Sequence, residues 1–273
     1  MLNVRPSPIA GSWYPGKPDQ LTKTVDTFLR DAPAPEVAGS LVGVVVPHAG
    51  HRYSGAVAAH AFKAMKGSDA DTVAVISPMH YAYSAPLLTT GHDAYWTPLG
   101  EIPVDRQAVH AIQKACEIPI APVFEDPEHA LEIELPFLQR VLNSFSLIPI
   151  MVRDDSAAVC RALAKALATV LKGRRFLLVA SSDLSHFYPQ NIANKLDSYM
   201  LKQVEAFDPL GVLKAEEDEK GFACGKGAIA TVLMAAKELG ATDVRVVKHA
   251  TSGDVTGDYS SVVGYGAAVI WKN

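Results

Sequence analysis

Four polar side chains that could do chemistry stand shortly after apolar runs rich in Val, Ile and Leu. They are His48, His80, Asp183 and His186. In open α/β sheets, ligands bind outside the carboxyl ends of the strands, so these positions are candidates for one shared site. A single histidine is more often a hydrogen-bonded structural residue than a ligand. Three such runs that are each followed by a histidine, in a chain with nine histidines, favour the shared site.

Two neutral imidazoles need an anionic third ligand to hold a divalent metal. A face of two histidines and one carboxylate is typical of non-haem Fe(II) sites. The acids that could complete it are Asp183, Glu128, Glu132 and Asp254. The competing ligand is Cys224, which precedes a predicted helix and lies near Lys226, where the pKa of a thiol is expected to be lowered. The alternative is a buried cysteine that fills a small gap in the core.

The segment 128–136 carries a further acid and imidazole. If the segment is helical, His129 and Glu132 lie on one face, where they could bind a metal or hold a water. The alternative is a solvated charged face, and periodicity does not separate the two. The glycine-rich turn at Cys224 lacks the spacing of a phosphate-binding loop, so we expect no nucleotide site there.

These side chains can meet only if a sheet brings several strand ends together. Continuous apolar runs, typical of strands buried on both faces, occupy residues 41–46, 71–76, 147–152 and 176–180, and strand-like runs follow at 244–248 and 261–271. Helical patterns occupy residues 18–30, 54–66, 156–171, 190–206 and 226–239. This alternation predicts one α/β domain, in which helices flank a mixed, largely parallel sheet.

Composition excludes several classes of protein. The 273 residues carry a formal net charge of −4 and are 49% apolar, as expected of a soluble globular chain. Interspersed charges argue against a surface for nucleic acid or anionic membrane. Three widely spaced cysteines do not form a secreted disulfide framework, and no segment reaches the ~20 apolar residues that cross a bilayer. We therefore expect a cytoplasmic protein that binds neither nucleic acid nor membrane.

Short motifs in a specific order run almost from end to end of the chain. They are RPSPIAGSWYP (5–15), PHAG (47–50) with YSG (53–55), SPMH (77–80), EHALEIELP (128–136), SSDLSH (181–186), CG (224–225) and YGAA (265–268). In these motifs the chain resembles the Memo family, whose bacterial and archaeal members carry the name AmmeMemoRadiSam system protein B. The resemblance predicts a single Memo-like domain over residues 1–273.

The resemblance implies a fold similar to the catalytic subunit of class III extradiol ring-cleaving dioxygenases. It carries the metal-ligand positions onto His48, His80 and Cys224, and the base position onto His186, with Asp183 beside it. Further pocket residues are expected to be His129, Glu132 and Lys226. The dioxygenases have a carboxylate where this chain has cysteine, and a softer thiolate shifts the preference toward copper(I), zinc or thiolate-tolerant iron. Dioxygenase activity therefore does not carry over with the fold.

Three functions fit these residues. We favour a metal-dependent oxidoreductase that uses iron or copper, in which His186 moves protons for a small substrate. The second is a binding or adaptor module without turnover, since animal members of the family are described as binding phosphotyrosine peptides; Lys226 would then face an anionic or aromatic ligand. The third is a metal-free redox or carrier role for Cys224. The resemblance also implies a modification pathway shared with a radical S-adenosylmethionine protein and an Ammecr-type protein.

Overall fold

The apolar runs form the middle of a mixed sheet in the computed structural model, which describes residues 3–273. In chain order the strands are β1 (Val4–Arg5), β2 (Ser40–Val46), β3 (Thr72–Pro78), β4 (Leu87–Thr90), β5 (Ala94–Thr97), β6 (Gly100–Pro103), β7 (Ile120–Val123), β8 (Ser146–Val152), β9 (Phe176–Ser181), β10 (His186–Tyr188), β11 (Asp243–Thr251) and β12 (Val262–Lys272). The large sheet has nine strands in the order β10-β12-β2-β9-β3-β8-β4-β7, with β11 also paired to β12. Strands β1, β5 and β6 form a small second sheet.

The centre of the large sheet is parallel, and this places the strand ends that matter side by side. Strand β9 lies between β2 and β3, with Ala180 opposite Val45 on one side and Ile76 on the other. The carboxyl ends of these three strands therefore share one edge of the sheet. Strands β12 and β4 join the parallel centre in the antiparallel direction. The predicted α/β class, with a mixed sheet flanked by helices, is confirmed.

Two groups of helices cover the sheet. The helices are α1 (Pro18–Asp31), α2 (His51–Phe62), α3 (Arg106–Ala115), α4 (Leu135–Val141), α5 (Ala157–Leu171), α6 (Gln190–Glu205), α7 (Pro209–Glu217), α8 (Lys226–Glu238) and α9 (Gly253–Thr256). Helices α1, α2 and α4 pack on one another, and α2 lies on β2 and β12. Helix α8 lies on β3 and β9 and packs against α5 and α7. Within residues 3–273, no helix is both long enough and apolar enough to cross a membrane.

The small sheet ties the N-terminal segment to the rest of the molecule. Parallel pairing places Arg5 opposite Tyr95. The Arg5 side chain is buried, and its guanidinium donates to the carboxylates of Asp126 at 2.7 Å and Glu132 at 2.5 Å. A buried charge is tolerated only when it is paired and hydrogen-bonded, so this cluster anchors the segment in one position.

Candidate metal centre

The shared edge of β2, β3 and β9 brings the predicted ligands together. His48 follows β2, His80 follows β3, and Cys224 lies in the turn before α8. One donor atom from each of the three lies within 4.8 Å of the others, and Cys224 Sγ is 3.0 Å from His48 Nε2. His48 is buried, Cys224 is half-buried and His80 is exposed. The three donor atoms thus form a compact set that is open on the His80 side.

The buried His48 ring is held by a serine hydroxyl at the end of β9. His48 Nδ1 lies 3.0 Å from Ser181 Oγ, which also lies 2.6 Å from the Ala130 carbonyl oxygen and 2.8 Å from Glu134 Oε1. The carbonyl oxygen can only accept, and burial raises the pKa of the Glu134 carboxyl well above its usual value, so the protonated carboxyl donates to Ser181 Oγ. The single hydroxyl proton then points to the carbonyl oxygen, and Ser181 Oγ also accepts from His48 Nδ1–H. His48 therefore carries its proton on Nδ1, and the Nε2 lone pair faces Cys224.

The His80 ring is oriented by a buried carboxylate. Glu128 accepts from His80 Nδ1 at 3.0 Å and from the His80 N–H at 2.6 Å, and it also accepts the N–H groups of His129 and Ala130. Although burial opposes it, the hydrogen bonds from the His80 ring and from backbone N–H groups hold the pKa of the Glu128 carboxyl below its usual value. A carboxylate that fixes the non-ligating nitrogen is the usual support of a metal-binding histidine, and it leaves Nε2 for the metal.

A second group of donors also lies close together, but it fits a metal less well. Donor atoms of His80, Glu128 and His129 lie within 4.8 Å of one another. The Glu128 oxygens already accept hydrogen bonds from three backbone N–H groups and from the His80 ring. A cation there would have to displace those donors, whereas Cys224 and the two Nε2 atoms can converge without such a loss.

The predicted lowering of the Cys224 pKa is wrong. Burial, with the nearby Asp183 carboxyl, raises the pKa of the thiol well above its usual value. The Lys226 ammonium, expected to lower it and to line the pocket, is instead paired with Glu216 at 2.7 Å and Asp155 at 3.4 Å. The thiol therefore needs a bound cation in order to ionise at neutral pH.

Asp183 and His186 flank the donor set without belonging to it. Asp183 Oδ1 accepts the N–H groups of His48 at 2.8 Å and Ala49 at 3.2 Å, so it holds the chain that carries His48. Burial raises the pKa of the Asp183 carboxyl to about 7. His186 begins β10 and is half-buried, and burial together with the neighbouring His80 lowers the pKa of its imidazole. A neutral imidazole beside the donor set can accept a proton from a bound molecule.

His129 lies in the site, but Glu132 does not face it. The segment is not one helix, because Glu132–Glu134 is a 3₁₀ turn that leads into α4 at Leu135–Val141. The Glu132 carboxylate accepts from Arg5, from the Tyr14 hydroxyl at 2.6 Å and from the Ser7 hydroxyl. It thus belongs to the anchor of the N-terminal segment. Asp254, weighed as a third ligand, instead accepts the N–H of Thr251 at 2.8 Å.

Trp13, Ser181 and Glu134 are part of the site, and the residue patterns did not single them out. The His129 ring lies between Trp13, with ring centroids 4.1 Å apart, and His80, with centroids 4.9 Å apart. Burial lowers the pKa of His129 to about 4, so the His129 imidazole is uncharged at neutral pH. Trp13 stands in the first motif of the chain and Ser181 at a strand end. Their partners lie over 40 residues away in sequence, and no local spacing reveals them.

A cavity of about 520 Å³ opens beside the donor set. The aromatic side chains on its walls are Trp13, Tyr53, Phe187 and Tyr265. Ala49 and Gly50, which follow His48, also line it, whereas His80 and Cys224 line a separate cavity of about 110 Å³. The volume of the larger cavity suits a small molecule or one side chain of a peptide.

Comparison with known proteins finds similarity over almost the whole chain. A family model described as Memo-like protein matches residues 5–269. A MEMO1 family protein of Methanococcoides burtonii is 36% identical over 98% of this chain and 100% of its own length. Those of Methanopyrus kandleri and Thermotoga maritima are each 34% identical over 96% of this chain and over 96% and 98% of their own. None of these names states a substrate or an activity.

Proposed function

Because the chain belongs to the Memo family, and its three donor atoms converge at one sheet edge, we propose that it is a metal-binding protein of oxidoreductase type. His48, His80 and Cys224 would hold iron or copper, and zinc is a further candidate. The observation that supports this most strongly is the pair of locked rings. Ser181 and Glu128 each bind the Nδ1 atom of one histidine, so that both Nε2 atoms are left to a metal.

The donor set decides which metals fit. Two imidazoles and one thiolate are softer than two imidazoles and a carboxylate, and they favour copper(I), zinc or thiolate-tolerant iron. Once bound, iron or copper would supply redox chemistry toward a small molecule in an open ligand position. Dioxygenase chemistry is not carried over from the related fold, because the carboxylate of those enzymes is replaced by Cys224.

The remaining residues of the site have distinct roles in this proposal. Neutral His186 takes up or returns a proton of the bound molecule. Asp183 holds the backbone of His48 in place. The ring of Trp13 covers His129, so that this side of the donor set is shielded from water. These roles need no movement of the fold, since each group already lies at the shared edge of the sheet.

A binding module without turnover is the second candidate. The cavity beside the donor set favours it, because the cavity is large enough to hold a ligand. Lys226 does not support an anionic ligand, because two carboxylates already neutralise it.

The proposed partners are a radical S-adenosylmethionine protein and an Ammecr-type protein, on the family association alone. A cytoplasmic location is proposed from the composition.

Elemental analysis of protein purified without oxygen tests the metal site. We expect iron or copper in the wild-type protein and its loss in His48→Ala and Cys224→Ser. The matched control is His110→Ala, which removes an exposed histidine far from the donor set in sequence. Metal content unchanged in His48→Ala would overturn the ligand assignment. Oxygen uptake by the metal-loaded protein with a bound ligand would favour the enzyme, and binding without turnover would favour the module.

A further inference from the structure

The cavity beside the donor set has aromatic walls that face solvent. Trp13 is 38% exposed, Tyr53 38% and Phe187 75%, and Tyr265 closes the inner side. Aromatic rings of this size are normally buried, so a group of partly exposed rings around one cavity marks a binding surface. Phe187 also has a φ of +64°, in the left-handed region that phenylalanine rarely adopts. Such backbone strain is concentrated at ligand-binding sites.

The charge at the cavity is negative. Asp258 is the one ionisable carboxylate among the described lining residues, and none of those residues is a lysine, arginine or histidine. Hydrogen bonds from the hydroxyl and N–H of Ser260 hold the pKa of the Asp258 carboxyl below its usual value, so it is ionised at neutral pH. The other polar side chains are hydroxyl-bearing, apart from the indole N–H of Trp13, and belong to Ser12, Tyr53, Ser252, Thr256, Ser261 and Tyr265.

We propose that this cavity binds an organic cation, an amine or ammonium group carried on an apolar or aromatic body. Aromatic faces attract a cation within about 6 Å through their quadrupole, and the attraction grows as the site loses water. The Tyr53 ring already makes a cation–π contact of this kind, because the Arg52 guanidinium carbon lies 5.7 Å from its centroid. A phosphorylated or carboxylate ligand would meet Asp258, because Arg52, which lies on the Tyr53 ring, does not itself line the cavity.

The place of the cavity connects this ligand to the donor set. Ala49 follows His48, Phe187 follows His186, and Trp13 stacks on His129. A molecule whose charged end lies near Asp258 and whose body rests on these rings would extend toward the metal ligands. The cation's role as substrate rests on the proposed function, whereas its binding does not require a metal.

Binding by the metal-free protein to three probes with the same ring tests this assignment. The probes are phenethylamine, 2-phenylethanol and 3-phenylpropionate, which are cationic, neutral and anionic at pH 7. Titration calorimetry, with quenching of tryptophan fluorescence as a second readout, should show phenethylamine binding about tenfold more tightly than 3-phenylpropionate. Added salt should weaken the binding of the amine more than the binding of the alcohol.

Matched variants separate charge from shape. Asp258→Asn should lower the affinity for phenethylamine by about threefold and leave the affinity for 2-phenylethanol unchanged. Phe187→Ala should lower the affinity for both probes. Asp69→Asn, which neutralises another exposed acid, should change neither. Equal or tighter binding of the anion, an unchanged amine affinity in Asp258→Asn, or no binding of any probe at millimolar concentration would overturn the assignment.

The two proposals fail in different ways. Metal content is measured on the same variants, and Asp258→Asn should retain it. Loss of the amine preference with metal content intact would contradict the proposed cation site and leave the proposed metal site standing. Amine preference in a protein that holds no metal after anaerobic purification would contradict the proposed oxidoreductase function and support the proposed cation site.

Discussion

At the scale of single residues, the site depends on which nitrogen of each histidine carries the proton. The Ser181 hydroxyl accepts from His48 Nδ1 while it donates to the Ala130 carbonyl oxygen. Without the hydroxyl, the imidazole loses the partner that fixes both its tautomer and its rotation. Supports of this kind matter nearly as much for metal affinity as the ligands themselves.

Ser181→Ala is therefore expected to weaken metal binding by about 10–100-fold, measured by competition with a chelator of known affinity. The matched control is Ser185→Ala, because the Ser185 hydroxyl is buried but has no hydrogen-bond partner within residues 3–273. That control should retain metal affinity, and it should not lower the free energy of unfolding, since no bond is lost. Equal metal affinities in Ser181→Ala and wild type would contradict the role given to the hydroxyl.

The sequence indicates the proposed ligands better than the groups that hold them. His48 and His80 follow apolar runs, and the position of a strand end can be inferred from the run itself. Glu134 and Ser181 act through partners more than 40 residues away, so only the folded chain reveals them. The error at Cys224 has a similar cause, because burial and Asp183 outweigh the helix N-terminus that the local sequence suggests.

At the scale of elements, the long buried strands are predictable and the short mixed ones are not. Strands β2, β3, β8 and β9 coincide with continuous apolar runs to within one or two residues. Strands β4 to β7 have four residues each, and three of them carry exposed residues, which are Trp96, Glu101, Pro103 and Pro122. Hydrophobic periodicity over so short a length does not predict a strand. The sequence patterns also do not predict helix α3, which lies between β6 and β7.

The N-terminal segment is an element of the site, and Arg5 is its anchor. Arg5→Met would leave the carboxylates of Asp126 and Glu132 buried without their partner. We expect a loss of about 3–5 kcal/mol in the free energy of unfolding, measured by urea denaturation, because an uncompensated buried charge costs that much. Trp13 fluorescence should shift toward that of an exposed indole as the segment loosens.

Arg30→Met is the control for Arg5, since Arg30 pairs with Asp31 on the surface, where both side chains are more than 60% exposed. Exposed pairs contribute little, so this variant should unfold at nearly the wild-type urea concentration. A similar small effect in Arg5→Met would show that Glu132 and Asp126 do not depend on the guanidinium.

At the scale of the whole molecule, the fold must stabilise a group of buried ionisable side chains at the carboxyl edge of the sheet. The buried hydrophobic core surrounds it with Val, Ile and Leu side chains from both helix groups. Burial lowers the pKa of His48 and raises the pKa values of Glu134, Asp183 and Cys224, so each group is driven toward its neutral form. The stability of the metal-free protein should therefore depend on pH in a direction that the pKa shifts determine.

Glu134 gives the clearest case. Burial raises the pKa of its carboxyl well above the usual value, so the folded state binds a proton that the unfolded chain releases above about pH 4.5. The free energy of unfolding then falls as pH rises through this range, by about 1.4 kcal/mol per pH unit, until the folded carboxyl ionises as well. Glu134→Gln keeps the shape and a hydrogen bond to Ser181, and it has no proton to release.

The difference in free energy of unfolding between Glu134→Gln and the wild type, both metal-free, should therefore grow in favour of the variant from pH 5 toward pH 7. Urea denaturation at several pH values measures it, and taking the difference removes the contribution of Asp183, which titrates in both proteins. Glu117→Gln, which replaces an exposed carboxylate, should give a flat difference. A flat difference in Glu134→Gln would mean that the carboxyl ionises in the folded protein at its ordinary pKa. The Ser181 hydroxyl that holds His48 would then lie beside a charged carboxylate instead of a neutral carboxyl.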